Sequence, residues 1–170
     1  MSADCLFILR KAKELGTLRK ILLEFEKRTG YGIRFDLTDN LLECSPLTVN
    51  QNDFVLFPCE SVEVEYSELL LGYDDVRYNG FSPVAPLEER MQSIQELVEV
   101  CLPFSEYVEV YISDDDPCLD DYTSYDISSI NVAEVLVKEY RQVPLSNFAL
   151  PCVHLIVRNA NRRTGDGSLS

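Results

Sequence analysis

The single histidine of the chain, His154, lies two residues after Cys152, and this pair is the first place where the sequence offers chemistry. On a β-strand, residues i and i+2 point to the same face, so a thiol and an imidazole at this spacing can approach each other. A cysteine hydrolase would also need an oxyanion hole and an orienting Asn or Asp, and the sequence identifies neither. Because Val153, Leu155 and Ile156 surround the histidine, we interpret this segment as a buried strand and assign no catalytic residue.

A second chemically distinctive segment, Asp114 to Asp121, contains five aspartates within eight residues. An EF-hand loop starting at Asp114 would need Gly at its sixth position and Glu at its twelfth, but those positions hold Leu119 and Tyr125. Magnesium needs fewer carboxylates but usually a phosphate substrate, and the chain has no glycine-rich phosphate loop. We therefore predict no metal and no cofactor here, and instead an acidic loop that faces solvent or a basic partner.

The charge of the chain is strongly uneven along its length. Residues 1–34 contain eight Lys or Arg and four Asp or Glu, whereas residues 35–157 contain four and 24. Carboxylates with so few cations among them repel one another, and their summed field attracts a basic partner. Direct binding of nucleic acid is disfavoured, because phosphate contacts require a basic groove.

Carboxylates also alternate with tyrosines on predicted strands. Over 106–113 the alternate aliphatic residues should face the core, so Tyr107, Glu109 and Tyr111 should face away from it, and a strand over 62–66 follows the same pattern. Tyrosine gives rigid contact area and glutamate binds Arg or Lys, although a solvated sheet face has the same composition. The candidate partner-binding residues are Glu63, Glu65, Tyr107, Glu109, Tyr111, Asp114, Asp115, Asp116, Asp120, Asp121 and Tyr122.

Apolar periodicity predicts an α+β fold in a single domain. We expect helices over residues 5–28, 86–101 and 132–142. We expect strands over residues 32–38, 54–57, 62–66, 69–78, 106–113 and 152–158. The resulting architecture is a mostly antiparallel sheet of about five to six strands, with an N-terminal helix and two further helices packed on one face. The strand before the third helix and the last strand can form a parallel crossover around that helix.

The length of 170 residues suits one domain, which we place at residues 1–158, followed by a flexible tail at 159–170. The six cysteines are scattered and form no Cys-x-x-Cys pair, which disfavours a zinc or redox site. Neither a secretory signal nor an apolar run of about 18 residues occurs. We therefore expect a cytoplasmic protein with reduced cysteines and no membrane partner.

These features favour an acidic intracellular protein-binding module. The hypothesis is an inhibitor or immunity (antitoxin-like) protein that masks a basic site on a partner such as a nuclease toxin. Two alternatives remain open: an assembly or regulatory subunit without catalysis, and an enzyme that uses Cys152 with His154 or a divalent ion at the aspartate-rich loop. The first hypothesis depends on the carboxylates and tyrosine rings lying together on one surface.

Overall fold

The computed structural model of the chain describes five stretches, residues 4–35, 49–59, 87–113, 121–142 and 151–159. Their strands are β1 (Asp4–Arg10), β2 (Gly32–Phe35), β3 (Phe54–Cys59), β4 (Tyr107–Ser113), β5 (Thr123–Ile127) and β6 (Val153–Arg158). Their α-helices are α1 (Leu15–Thr29), α2 (Leu87–Cys101) and α3 (Val132–Arg141). The predicted α+β class is confirmed. The strands predicted at 62–66 and 69–78, and the tail beyond residue 159, lie outside the described residues.

All six described strands belong to one mixed sheet in the order β2-β3-β1-β4-β6-β5. Every neighbouring pair is antiparallel except β5 and β6, which are parallel. Parallel neighbours require a crossover connection, and α3 stands between these two strands in the chain. The predicted crossover was therefore wrong in its first strand, because β4 pairs with β6 in the antiparallel sense. The strand that pairs in parallel is β5, which the sequence pattern did not reveal.

The N-terminal segment begins with a strand where the sequence pattern predicted a helix from residue 5. β1 lies between β3 and β4 in the sheet, and Cys5 to Leu9 are each at most 2% exposed. A strand that is covered on both faces is apolar at every position, and such a run also satisfies three- and four-residue helical spacing. The prediction of a helix over 5–28 was therefore wrong in its first part, and α1 begins only at Leu15.

Buried side chains of the three α-helices pack together with one face of the sheet, which we call the helix-covered face. The strand residues of this core are Cys5, Phe7, Leu9, Ile33, Phe54, Leu56, Val108, Val110, Ile112, Val153, Leu155 and Val157. The inward orientation predicted for the aliphatic residues of β4 is confirmed. None of the described helices combines the length and apolar character that a membrane span requires.

The opposite face of the sheet, which we call the second face, carries its own smaller cluster of buried residues. Leu6 and Ile8 of β1 pack there with Val55 and Phe57 of β3 and with Tyr111 of β4. Each of these five side chains is at most 7% exposed. This cluster contains no residue from the described helices. Polar residues of β4, β5 and β6 lie beside it on the same face of the sheet.

Candidate functional site

Polar side chains from five separate segments meet on the second face beside this apolar cluster. We call this group the His154 network, and it consists of Arg10, Asp53, Glu109, Tyr111, Ser124 and His154. The sheet register brings it together, because His154 on β6 lies directly opposite Tyr111 on β4 and Ser124 on β5. Strand alternation then places Glu109, two residues before Tyr111, on the same face.

The imidazole of His154 is held at both ring nitrogens and on its face. Its Nε2 lies 2.9 Å from Glu109 Oε1, and its Nδ1 lies 3.0 Å from Ser124 Oγ. The ring stacks on Tyr111 with centroids 4.2 Å apart and planes inclined by 10°. An ionised carboxylate only accepts hydrogen bonds, so Nε2 carries the hydrogen and a neutral imidazole has Nδ1 free to accept the Ser124 hydroxyl hydrogen.

Glu109 is the centre of the His154 network. Its Oε2 accepts a hydrogen bond from Arg10 Nε, and its Oε1 accepts one from Tyr111 Oη at 3.3 Å in addition to the one from His154. Burial acts to raise the pKa of Glu109, but the hydrogen bonds from His154 and Arg10 and the charge of Arg10 outweigh it. The pKa therefore lies below its ordinary value, and Glu109 is a carboxylate at neutral pH.

The pKa of Tyr111 is shifted in the opposite direction from that of Glu109. Tyr111 is 6% exposed. Burial and the nearby charge of Glu109 raise the pKa of its phenol. The hydroxyl therefore stays protonated and donates to the carboxylate. The ring also meets Tyr122 edge-on, with the centroids 5.2 Å apart.

Arg10 is fixed from its other side by Asp53, whose Oδ2 lies 2.7 Å from Arg10 Nη1. The Asp53 carboxylate also accepts the backbone N–H of Lys11 at 3.0 Å and of Asn50 at 2.8 Å. Burial raises the pKa of Asp53, but these backbone bonds and the Arg10 guanidinium lower it more. Asp53 thus holds the turn after β1, where Lys11 has a positive φ of 49°, and orients Arg10 toward Glu109.

The structure places the predicted partner-binding residues in three different situations. Glu109 and Tyr111 face away from the helix-covered core as predicted, but they are 7% and 6% exposed and bind within the chain. Tyr107 is half-buried beneath Arg158, whose guanidinium carbon lies 5.0 Å from the ring centroid. Asp121 is exposed and Tyr122 is half-buried. The remaining candidates lie outside the described residues, namely Glu63, Glu65, Asp114, Asp115, Asp116 and Asp120.

The burial of Glu109 and Tyr111 corrects the expectation that β4 offers an exposed docking surface. Alternation predicts which face a side chain takes, but exposure depends on what other strands place beside it. Here Arg10 and His154 come from strands on either side of β4 and enclose the carboxylate. Glu109 and Tyr111 are therefore parts of the His154 network, and they do not form an exposed binding surface.

Among the described residues, the imidazole is hydrogen-bonded to Glu109 and Ser124. Sequence reasoning missed Ser124, Arg10 and Asp53 of the His154 network. Cys152 lies just before β6 and is half-buried. The signal for Ser124 was the short alternation over β5, in which Tyr125 and Ile127 pack against the helix-covered core. Within the described stretches, no group of three His, Cys, Asp or Glu is arranged to hold a metal ion.

Most of the net negative charge lies outside the described residues. The described stretches contain 12 Lys or Arg and 15 Asp or Glu, whereas the rest of the chain contains three and 14. Ten of those 14 carboxylates fall in two segments, residues 60–86 and 114–120, which contain one cation between them. We call these two the acidic segments.

The two acidic segments follow strands that end on the same side of the sheet, the side on which β1 begins. Ser113, the last residue of β4, pairs with Asp4 at the start of β1. β3 runs antiparallel to β1, so its last residue, Cys59, ends on that side too. Both strands are direct neighbours of β1, so their ends are separated by two strand spacings, about 10 Å. Exposed Asp121 lies on the same side, because β5 starts level with Val153 and hence with Ile112 of β4.

Comparison of the chain with protein-family models, with curated proteins and with solved structures finds no match. We therefore infer function from two features of the molecule itself. One is the hydrogen-bonded geometry of the His154 network on the second face. The other is the common side of the sheet from which the acidic segments depart.

Proposed function

We propose that this protein is an acidic, cytoplasmic binding module that masks a basic site on another protein. The inhibitor or immunity-like form of the hypothesis, with a nuclease toxin as partner, suits this chemistry because nucleases bind phosphates through cationic clefts. The observation that carries the proposal is the departure of both acidic segments from one side of the sheet. Because the ends of β3 and β4 lie about 10 Å apart, we expect the ten carboxylates of the segments that follow them to add to one negative potential.

The contact residues of this proposal are those of the aspartate-rich loop together with the acidic residues of 60–86. Asp121 and Tyr122 continue the loop into β5, and Tyr122 rests on the ring of Tyr111. Glu109 and Tyr111 are 7% and 6% exposed, so the proposal does not include them among the contacts. The alternative, an assembly or regulatory subunit, predicts association through apolar surface and hence little dependence on salt.

The test is a comparison of two variants with equal net charge. The loop variant replaces the four carboxylates of acidic segment 114–120 by amides: Asp114→Asn, Asp115→Asn, Asp116→Asn and Asp120→Asn. The matched control replaces four exposed carboxylates on or next to the helices: Glu14→Gln, Glu89→Gln, Glu99→Gln and Glu134→Gln. Immobilised wild-type protein first captures partners from a lysate of the native cell, and a salt gradient elutes them. Association rates of the purified basic partner are then measured with each variant.

We expect the association rate of the wild type to fall at least about tenfold between low and high salt, because steering by charge is screened. The loop variant should associate about tenfold more slowly at low salt, and the control variant at close to the wild-type rate. A rate that does not change with salt would favour the subunit alternative. Equal slowing of both variants would show that net charge acts without a localised surface, and would contradict the proposal.

A further inference from the structure

We propose that Ser124, His154 and Glu109 form a nucleophile, a general base and a positioning residue that together attack carboxylic esters. This activity is separate from the binding role and uses the second face of the sheet. The proposal stands on the continuous chain of hydrogen bonds from the Ser124 hydroxyl through the imidazole to the Glu109 carboxylate. A nucleophile within reach of a base, with the base oriented by a third group, is the general signature of an activated hydroxyl.

The imidazole of His154 is held by more contacts than a serine–histidine pair on the surface would have. Glu109 fixes its Nε2, the stacked ring of Tyr111 fixes its plane, and Arg10 fixes the carboxylate in turn. The His154 side chain is 13% exposed, whereas Ser124 is exposed. The buried partners therefore hold the imidazole in one orientation. The exposed Ser124 hydroxyl, at the other end of the hydrogen-bonded series, is the nucleophile that a substrate can reach.

The backbone of β5 provides a donor next to the nucleophile. The N–H of Thr123 donates to the carbonyl of Cys152 at 3.0 Å, so this residue faces β6 in the parallel ladder. Backbone groups alternate in direction along a strand, and the N–H of Ser124 therefore points away from β6. β5 is the last strand in the order of the six described strands. An N–H beside the attacking oxygen is a suitable donor for the oxyanion of a tetrahedral intermediate.

The reaction balances without a metal or redox partner. Ser124 Oγ attacks the ester carbonyl carbon, and its proton passes to His154 Nδ1. The carbon–oxygen bond to the leaving alcohol then breaks, and the imidazolium returns the proton to that alcohol, leaving the acyl group on Ser124. Water attacks the acyl carbon with the imidazole as base, and the acid is released as Oγ regains a proton. Throughout, Glu109 accepts the Nε2 hydrogen bond and stabilises the imidazolium charge.

The experiment uses 4-nitrophenyl acetate as the probe and follows both release of 4-nitrophenolate and acetylation by peptide mass spectrometry. Ser124→Ala removes the nucleophile at an exposed edge position, so it should remain folded. Ser128→Ala, four residues away at an exposed position, is the matched control. His154→Gln removes the base. Thermal unfolding of each variant establishes that it is folded before rates are compared.

We expect the acetyl group on Ser124 in the wild type and in Ser128→Ala. Ser124→Ala should abolish acetylation at this position, and His154→Gln should lower the rate of Ser124 acetylation by about 100-fold, the usual contribution of a general base. Acetylation of lysines or Cys152 at the same rate in all four proteins would overturn the proposal. Release of 4-nitrophenolate by the wild type at the rate of the folded Ser124→Ala variant would overturn it too.

Discussion

Replacement of Glu109 by alanine is expected to lower the free energy of unfolding by about 3–5 kcal/mol, the usual cost of removing one partner of a buried ion pair. The variant removes the carboxylate that accepts the Arg10 Nε–H, so that the Arg10 side chain, 12% exposed, keeps its ion pair with Asp53 but loses the one with Glu109. It also removes the acceptor of the His154 Nε2–H and of the Tyr111 hydroxyl. Urea unfolding followed by circular dichroism measures the loss as a lower midpoint at unchanged slope.

The matched control lies on the same two chain segments. Lys11 and Glu106 are the neighbouring ion pair, 2.8 Å apart, with side chains 74% and 37% exposed. Exposed pairs contribute little because water screens them and the side chains lose freedom. Glu106→Ala should therefore lower the free energy of unfolding by no more than about 0.5 kcal/mol. Equal losses in the two variants would mean that the Glu109 carboxylate is not buried among its partners.

The dependence of stability on pH gives a second check of the Glu109 carboxylate, with Glu109→Gln as the variant. The pKa of Glu109 is lower in the folded protein than in the unfolded chain, where it is about 4.3. Its stabilisation is therefore present above the unfolded value and is lost as pH falls through the folded value. The difference in stability between wild type and Glu109→Gln should be largest near neutral pH and should shrink below about pH 4.

Phe7→Ala is the second substitution with a large expected effect, because it tests the position of β1 in the sheet. Phe7 is fully buried, and its neighbours across the two adjacent strands are Leu56 and Val110. Removal of a buried phenylalanine side chain costs about 3–5 kcal/mol, since a cavity remains among partners that cannot close it. The measurement is again the free energy of unfolding in urea.

Leu23→Ala is the control for this substitution. Leu23 is a large apolar residue of α1 that is 50% exposed, and alanine has a helix propensity at least equal to that of leucine. Its replacement should change the free energy of unfolding by about 0.5 kcal/mol or less. If Phe7→Ala were as mild as Leu23→Ala, β1 would not be the buried central strand described above.

The parts of the fold that the sequence predicted well are those with a single periodicity. α2 and α3 carry an apolar stripe on one side, and β4 alternates strictly, so their bounds agree with the structure within a few residues. β1 was misassigned because a strand buried on both faces has no alternation to distinguish it from a helix. β5 was missed because at its edge position three of its five residues are exposed, which leaves few apolar residues to mark it.

The candidate site could be predicted only in part, for a reason that lies in topology. Alternation along β4 correctly placed Glu109 and Tyr111 away from the helix-covered core. Their partners could not be predicted, because Arg10 is 99 residues from Glu109 in the chain and His154 is 45 residues from it. The contact of Ser124 with His154 depends on a parallel pairing of β5 and β6 that composition does not reveal.

The most direct test of the His154 network uses the single histidine of the chain. Labelling with ¹⁵N-histidine gives one pair of ring nitrogen signals, which report which nitrogen carries the hydrogen in the neutral imidazole. We predict the Nε2–H form, held by Glu109, with an Nδ1 signal that moves in Ser124→Ala and not in Ser128→Ala. An Nδ1–H form, or signals averaged by free exchange as in a solvent-exposed histidine, would contradict the His154 network.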